Sequence, residues 1–360
     1  MGVITLLDLV QDAEFRLFVE QKIARETTNY NYHFQNKFPI LYKYQSLSVH
    51  AVDNIVNEVL STTRIGEFND LFDGALHQYG TDLERQKAAE GKWEELEQLR
   101  KAANLPEGLL EHDTFINLNL QNMKTTSRLK FRQLDYLGTY VSCLSSDMAS
   151  TLMWSHYANS NTGICVGYDF NSPEMPVLLK KMVFPVAYSK TPINTRDLLE
   201  DTDGKIYKYP LDAAVMCAAL NKGDVWQYEK EWRFVFVSYF DDNRPKYFPI
   251  QLHIHPSSIS FGYHFMKSFF YSDNSEIEKA EKQIKLAIRL LEYSKEKSIP
   301  ISVMVPSVGE YRLYPATISA SALISFMHDY FCDYQPKNVR YYYTLHDRLM
   351  NLIEEERENA

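Results

Sequence analysis

Basic charge, cysteine and long apolar runs are all scarce in this sequence of 360 residues. Lysine and arginine number 38 against 47 acidic residues, which argues against a protein that coats DNA or an anionic membrane. The four cysteines stand far apart with no CxxC pair, so buried thiols in a reducing compartment are expected. No apolar run approaches the roughly 20 residues of a membrane-spanning helix, and residues 1–15 lack the basic start of a signal peptide. These absences predict a cytoplasmic protein that does not bind membranes.

The signatures of several large enzyme classes are also missing. The sequence has no GxGxxG, Walker loop, HExxH, GxSxG or zinc-finger spacing. This disfavours dehydrogenases, P-loop NTPases, zinc proteases and α/β-hydrolases. His253 and His255 have a spacing that would suit a metal on a strand, but no third ligand stands at a diagnostic distance. No metal is therefore expected.

Aromatic residues, by contrast, are abundant. They make up 14% of the chain, with 25 tyrosines against 20 phenylalanines. An excess of tyrosine predicts rings whose hydroxyl end stays in water, as in pockets and half-buried sheets. The alternative is an aromatic-rich β core.

Hydrophobic periodicity predicts an α+β fold with a mixed, mainly antiparallel central sheet flanked by helices. We expect strands at 41–46, 140–146, 163–170, 183–189, 231–239 and 301–305, with those between 140 and 239 in one sheet. A helix is expected before Ser61 on the spacing of Val52, Ile55, Val56 and Val59, another from Ser275, and a third at the C-terminus.

Three segments are expected along the chain. Residues 1–40 form an N-terminal helical segment, 41–265 an α+β core domain, and 266–360 a helical and mixed extension packed on the core. The charged stretch at 81–104 predicts a helical insertion that Gly91 splits into two helices.

The densest group of chemically useful side chains lies at 226–236. On a strand, alternate residues point to opposite faces, so Glu229, Glu231 and Arg233 would share one face and the aromatic residues the other. Two carboxylates followed by an arginine can orient a ribose hydroxyl and stabilise a developing cation. The alternative is a charged ladder on a wet sheet face, in which Arg233 pairs with Glu231 for little net free energy.

Two further groups could carry chemistry. Trp154, His156 and Tyr157 offer a ring for stacking, an imidazole and a phenol; the alternative is a packed helical turn with His156 hydrogen-bonded in the core. Asp203 and Lys205 fit the Asp-x-Lys end of a metal-dependent nuclease site. The alternative there is a surface turn in an acidic stretch.

Five short motifs follow one another along the chain: YKYQS at 42–46, FND at 68–70, MWSHYA at 153–158, YEKEWR at 228–233 and PSSISFG at 256–262. Their order resembles the bacterial family called domain of unknown function 2971, over about residues 41–265. The MWSHYA and YEKEWR motifs are the specific ones. The family name implies no activity.

A more remote resemblance, to ADP-ribosyltransferase-like folds, implies chemistry. It rests on the order of a strand with Tyr42 and Tyr44, a helix, a Ser/Thr-rich stretch and a late strand bearing Glu-x-Glu. It implies that NAD is the substrate and that Glu231 is the catalytic glutamate, which holds the nicotinamide ribose and stabilises an oxocarbenium-like transition state. Glu229 would face the acceptor.

The same resemblance implies how the nicotinamide half is bound. Tyr42 or Tyr44 would occupy the first-strand position, and Ser61 or Thr62 the second. His156 and Arg233 could supply the imidazole or the cation that the tyrosines lack. Trp154 and Tyr157 would complete the binding site.

Two functions of different class follow. The first is an ADP-ribosyltransferase-like or NAD-consuming enzyme of a toxin or phage-defence system, with a protein or nucleic-acid acceptor. The second is a non-catalytic sensor that binds a nucleotide or a partner protein through the residues at 154–157 and 229–233. A metal-dependent nuclease is third. The sequence does not define the acceptor or the oligomeric state.

Overall fold

The structure is a computed structural model. It describes residues 37–70, 72–74, 76–77, 82–108, 111–130, 138–191, 193–194, 216–237 and 245–358. Most of the expected N-terminal helical segment, and Asp203 with Lys205, lie outside the described residues.

Sixteen strands are present in the described part of the chain. They are β1 Leu41–Gln45, β2 Val59–Arg64, β3 Leu76–His77, β4 Thr139–Ser145, β5 Ile164–Tyr168, β6 Val183–Pro185, β7 Ala187–Ser189, β8 Ile193–Asn194, β9 Asn221–Gly223, β10 Glu231–Val237, β11 Tyr247–Gln251, β12 Ser258–Phe261, β13 Phe270–Tyr271, β14 Ile301–Pro306, β15 Leu313–Ile318 and β16 Lys337–Asn338.

Ten of these strands form one sheet. Its main path is β11-β2-β4-β1-β5-β12-β14-β15, and β10 joins β4 to β6. The pairs are antiparallel except for β12 with β14, which run parallel. The predicted fold class, an α+β protein with a mainly antiparallel sheet flanked by helices, is confirmed. The ADP-ribosyltransferase-like core stays a prediction.

The described helices are α1 Val49–Val56, α2 Asp82–Ala102, α3 His112–Lys130, α4 Thr151–Tyr157, α5 Val177–Lys181, α6 Ile277–Glu296, α7 Ala320–Tyr330 and α8 Tyr342–Glu358. Helix α1 begins where the Ser48 hydroxyl accepts a hydrogen bond from the Ala51 amide, an N-cap that satisfies one free N–H. Helix α6 buries one apolar side, including Ile284 and Leu291, in the main core. None of these helices is both long and apolar enough to cross a membrane.

Two local predictions are wrong because turns intervene. Val59 begins β2 instead of continuing α1, since Glu58 at φ 56° turns the chain after the helix. Residues 183–189 form two strands in different sheets: β6 pairs with β10, whereas β7 pairs with β9. Pro185 is the last residue of β6 and has no N–H with which to continue a ladder.

The charged insertion is a pair of long helices. Helix α2 runs unbroken through Gly91, so the expected split there is wrong. One glycine costs only about 1 kcal/mol in a helix, which the good helix formers around it outweigh. Trp93 of α2 and Phe115 of α3 lie with ring centroids 5.4 Å apart and give the pair a small core of its own.

The sheet continues across the expected boundary at residue 265. Ile259 of β12 pairs with Ile301 of β14, and β15 follows at the edge. The C-terminal residues therefore contribute two strands to the same sheet, besides α6, α7 and α8.

Strand β4 is where the sheet splits. It pairs with β10 along Thr139–Ser145, so β1 and β2 share its other edge. On that edge β2 pairs at Tyr140 and Val141, and β1 pairs only at Ser145. The intervening segment 142–144 has no ladder partner there in the described chain. The resulting gap between β1 and β2 is where the candidate site opens.

Candidate functional site

A cavity of about 220 Å³ lies at this gap. Tyrosines and charged side chains line it together: Tyr42, Tyr44, Tyr157, Lys43, Lys222, Asp73, Glu229 and Glu231. A larger groove of about 870 Å³ lies along β15, but among the described residues its lining has only two ionisable charges, Glu356 and Arg357. Buried titratable groups with perturbed pKa values cluster at functional sites, so the smaller cavity is the candidate site.

The two glutamates reach the cavity by different routes. Glu231 is the first residue of β10, whereas Glu229 ends the short 3-10 helix Asp224–Glu229. Lys230 between them adopts the left-handed conformation, with φ 45° and ψ 48°. The Ser145 hydroxyl donates to the Glu229 carbonyl at 2.6 Å and anchors this turn to β4. The turn lets both carboxylates contact the ammonium of Lys222.

Arg233 holds Glu231 in place. Its Nε donates to Glu231 Oε1 at 2.9 Å and its Nη2 to Oε2 at 3.1 Å, a bidentate pair. Lys222 adds a third contact, from Nζ to Oε2 at 3.2 Å. Burial alone would raise the pKa of Glu231, but the two cations hold it at about 2. Glu231 is therefore a fixed, ionised carboxylate.

The guanidinium of Arg233 has every N–H engaged. Besides Glu231 it binds both Asp73 oxygens, at 2.6 and 2.7 Å, and the Ala219 carbonyl at 2.7 Å. The Arg233 side chain has no exposed surface. Burial opposes its charge, yet Asp73 and Glu231 raise the pKa of Arg233 well above its ordinary value. Arg233 thus organises the site and presents no free donor to a ligand.

Glu229 has a different environment. Its Oε2 accepts from Lys222 Nζ at 2.6 Å and its Oε1 from the Tyr157 hydroxyl at 2.6 Å. Burial first, and the charge of Glu231 second, raise the pKa of Glu229. For Lys222 itself, burial is outweighed by the carboxylates around it, so its pKa is raised.

Besides Asp73, which is paired with Arg233, the cavity therefore holds two glutamates whose pKa values are shifted in opposite directions. Glu231 stays ionised, whereas Glu229 takes up a proton more readily than an ordinary glutamate does. Their side chains are each 3% exposed and lie against one shared ammonium, that of Lys222. Such a divided pair is the arrangement that acid–base and electrostatic catalysis require.

Tyr42 and Tyr44 lie on one face of β1 and both line the cavity. Gly167, opposite Tyr42 on β5, makes room for its ring, because a Cβ there would lie 3.2 Å from Tyr42 Cε1. The Tyr44 hydroxyl donates to the Asp147 carbonyl at 2.6 Å, and burial raises its pKa. Tyr42 is half-buried, so its ring is the more available of the two.

Besides Arg233, three expected binding residues lie outside the cavity lining. Trp154 is fully buried, donates its indole N–H to the Met148 carbonyl at 2.8 Å and packs edge-on against Tyr44, so it supports the wall. His156 is exposed on α4, and its ring centroid is 6.3 Å from that of Tyr228. Ser61 lies on β2 with a half-buried side chain.

The structure thus brings Glu229, Glu231, Tyr42, Tyr44 and Tyr157 to one cavity, with Arg233 beneath. Their roles stay predictions.

Three residues of the site were missed by sequence reasoning. Asp73 reaches Arg233 across 160 positions, and it follows the FND motif in a turn-rich stretch, which is the signal that could have found it. Lys43 lies inside the YKYQS motif, of which only the tyrosines were assigned a role. Lys222 lies outside the five motifs, and an isolated lysine gives no such signal.

Across the described residues, no group of three or more His, Cys, Asp or Glu side chains is placed to hold a metal ion. His253 and His255, whose spacing would suit a metal only on a strand, lie in a loop beyond β11, with His253 at φ 58°. The nuclease alternative rested on Asp203 and Lys205, which lie outside the described residues.

Comparison with known proteins supports the family resemblance over the middle of the chain. The model of the family described as "Protein of unknown function (DUF2971)" matches residues 153–234. The expected resemblance is confirmed over this range, which includes Tyr157, Glu229, Glu231 and Arg233. No curated protein and no solved structure gave a match.

Proposed function

We propose that this cavity cleaves the N-glycosidic bond of a nucleotide, with NAD as the first candidate substrate, and transfers the ribosyl group to an acceptor or to water. The observation that carries the proposal is the divided pair of glutamates in one tyrosine-lined cavity. Glycosyl transfer uses two carboxylates in this way, one kept ionised and the other exchanging a proton.

In the proposed reaction, the bond between C1′ and the nicotinamide nitrogen breaks and its electron pair leaves with the nicotinamide. Positive charge develops on the ribosyl C1′ and ring oxygen. Glu231 supplies a negative charge that Arg233 and Lys222 hold in place before the reaction begins, so the site need not reorganise. This matches the role that the remote resemblance implies for Glu231.

Glu229 is proposed to act on the acceptor. As the hydroxyl or water attacks C1′, its proton passes to a Glu229 oxygen, which the Tyr157 hydroxyl and Lys222 orient. A raised pKa makes Glu229 a better proton acceptor than an ordinary carboxylate. The rings of Tyr42 and Tyr44 would contact the nicotinamide-ribose end, and a protein or nucleic acid remains the expected acceptor class.

The test is nicotinamide release from labelled NAD by purified protein, with and without cell lysate as a source of acceptors. Wild type is compared with Glu231→Gln and Glu229→Gln, which keep the shape and remove the charge. Glu292→Gln, at an exposed position on α6, is the matched control. We expect release by wild type and by the control, and loss of at least about 100-fold in each site variant.

Label transfer to lysate components would indicate a transferase, and release alone a glycohydrolase. Release that survives in both site variants would overturn the assignment of the glutamates.

A second candidate is a non-catalytic nucleotide sensor, and one observation favours it. Both oxygens of Glu231 are already engaged by Arg233 and Lys222, as in a purely structural anchor. A sensor would bind NAD or a nucleotide at this cavity, with a Kd that Tyr42→Ala weakens, and would release no nicotinamide.

A further inference from the structure

The gap between β1 and β2 also holds an amine that the proposed reaction does not use. Lys43 of β1 extends its Nζ to the Ser142 hydroxyl of β4 at 2.8 Å and to the Ser61 carbonyl of β2 at 3.5 Å. These partners come from two other strands, and Ser142 belongs to the segment of β4 that lacks a ladder partner. Lys43 lines the cavity together with Glu229 and Glu231.

Lys43 differs from the other lysine of the same cavity. Lys222 has oxygens of Glu229, Glu231 and Asp73 within 2.6 to 3.9 Å. Lys43 has no carboxylate within 4.0 Å in the described part of the chain, only a hydroxyl and a carbonyl. Burial therefore lowers the pKa of Lys43, whereas the pKa of Lys222 is raised. A larger fraction of Lys43 is present as the neutral, nucleophilic amine.

We infer that Lys43 is a nucleophilic amine and that the cavity takes an aldehyde, a ketone or a reducing sugar, to which Lys43 bonds as an imine. This inference rests on the contacts of Lys43 and the cavity, and it does not depend on NAD cleavage.

The chemistry balances with the groups present. The lone pair of Lys43 Nζ adds to the carbonyl carbon, and one N–H proton moves to the carbonyl oxygen to give a carbinolamine. The carbinolamine hydroxyl then takes a proton from an acid and leaves as water, while the nitrogen lone pair forms the C=N bond. Glu229, with its raised pKa, is the acid available in this cavity. The nitrogen loses its last proton to the Glu229 carboxylate, which restores the acid.

The test uses ribose 5-phosphate as the probe and cyanoborohydride to reduce any imine to a stable secondary amine. The full-length protein is treated at pH 7 and its peptides are mapped by mass spectrometry. We expect modification of Lys43 to exceed that of Lys222 by more than about tenfold, since a protonated amine does not add to a carbonyl. Lys222 is thus a control inside the same cavity.

Two variants complete the design. Lys43→Arg keeps a long hydrogen-bond donor at the gap and should lose the adduct, and Lys246→Arg, at an exposed ion pair with Glu67, should keep it. Modification spread evenly over the lysines, or none at Lys43 in folded wild type, would overturn the inference. Wild type alone decides this outcome, even if Lys43→Arg does not fold. Nicotinamide release is scored separately, so either proposal can fail without the other.

Discussion

The two ends of the central sheet bury very different groups. Around β4 and β10, five charged side chains are removed from water: Asp73, Lys222, Glu229, Glu231 and Arg233, each at most 6% exposed. Around β12 and β14, the core is apolar and packs against α6. Its main polar feature is one pair of hydroxyls, Ser260 and Ser302, at 2.7 Å.

This difference distinguishes groups that stabilise the fold from groups that are suited to chemistry. Buried ion pairs stabilise a fold no better than apolar residues of similar volume, because desolvation offsets their attraction. The β12–β14 end shows that this chain can build a core without them. Charges at the β4–β10 end therefore indicate a site, and removing single members of each set sharpens the comparison.

The largest effect is expected from Arg233→Leu. It leaves Asp73 and Glu231 buried with only the Lys222 ammonium near them, at 3.9 and 3.2 Å, which should lower the free energy of unfolding by roughly 3–5 kcal/mol. The matched control is Arg289→Leu, which breaks an exposed pair with Asp53 and should cost less than about 1 kcal/mol. Urea unfolding measures both. Equal losses would contradict the distinction between the two kinds of pair.

The second-largest effect on stability is expected from lowering the pH, because acid protonates Glu231. Its pKa is about 2 in the folded protein and 4.5 ordinarily, so its charge stabilises the fold above pH 4.5 and this contribution is lost as the pH falls through 2. The difference corresponds to about 3 kcal/mol. Unfolding from pH 5 to 2 should show this slope in wild type and in Glu292→Gln. Glu231→Gln should lack it, and a retained slope would show that other acids are responsible.

Tyr157→Phe should have a smaller effect on stability and a specific effect on activity. It removes a hydrogen bond to Glu229, worth about 1.5–3 kcal/mol when the acceptor is charged. That bond lowers the pKa of Glu229, so its loss should move the acid side of the pH–rate profile to higher pH. Tyr343→Phe, an exposed residue of α8, is the control. If the pH–rate profile of Tyr157→Phe matches that of wild type, Glu229 is not the proton acceptor.

The smallest effect is expected at the apolar end. The double change Ser260→Ala with Ser302→Ala removes both partners of one hydrogen bond, and should alter stability by less than about 1 kcal/mol. Either single change leaves a hydroxyl unpaired and should cost more than the double change. Thermal unfolding of the three variants tests this order. A double variant that is the least stable would show that the hydroxyl pair itself holds this end together.

The strands and helices with clear periodicity were predictable, because local pattern determines them. The alternation at 41–45 and the apolar stripe of α6 are examples. Local pattern gave wrong predictions at three positions. A turn ends the helix before Val59, Pro185 has no N–H for a ladder, and the helix formers around Gly91 keep α2 unbroken. Sheet membership also could not be deduced, since β7 leaves the sheet that β6 joins.

The sequence alone determined the α+β class, the family resemblance and the expectation that Glu229, Glu231 and Arg233 act together. Only the tertiary structure decided which carboxylate is held fixed and which can exchange a proton. That difference depends on Lys222 and on Asp73 and Tyr157, the last two of which approach these residues from distant parts of the chain. The pKa of a buried group is set by the burial and charges around it in space, and a linear sequence does not contain those distances.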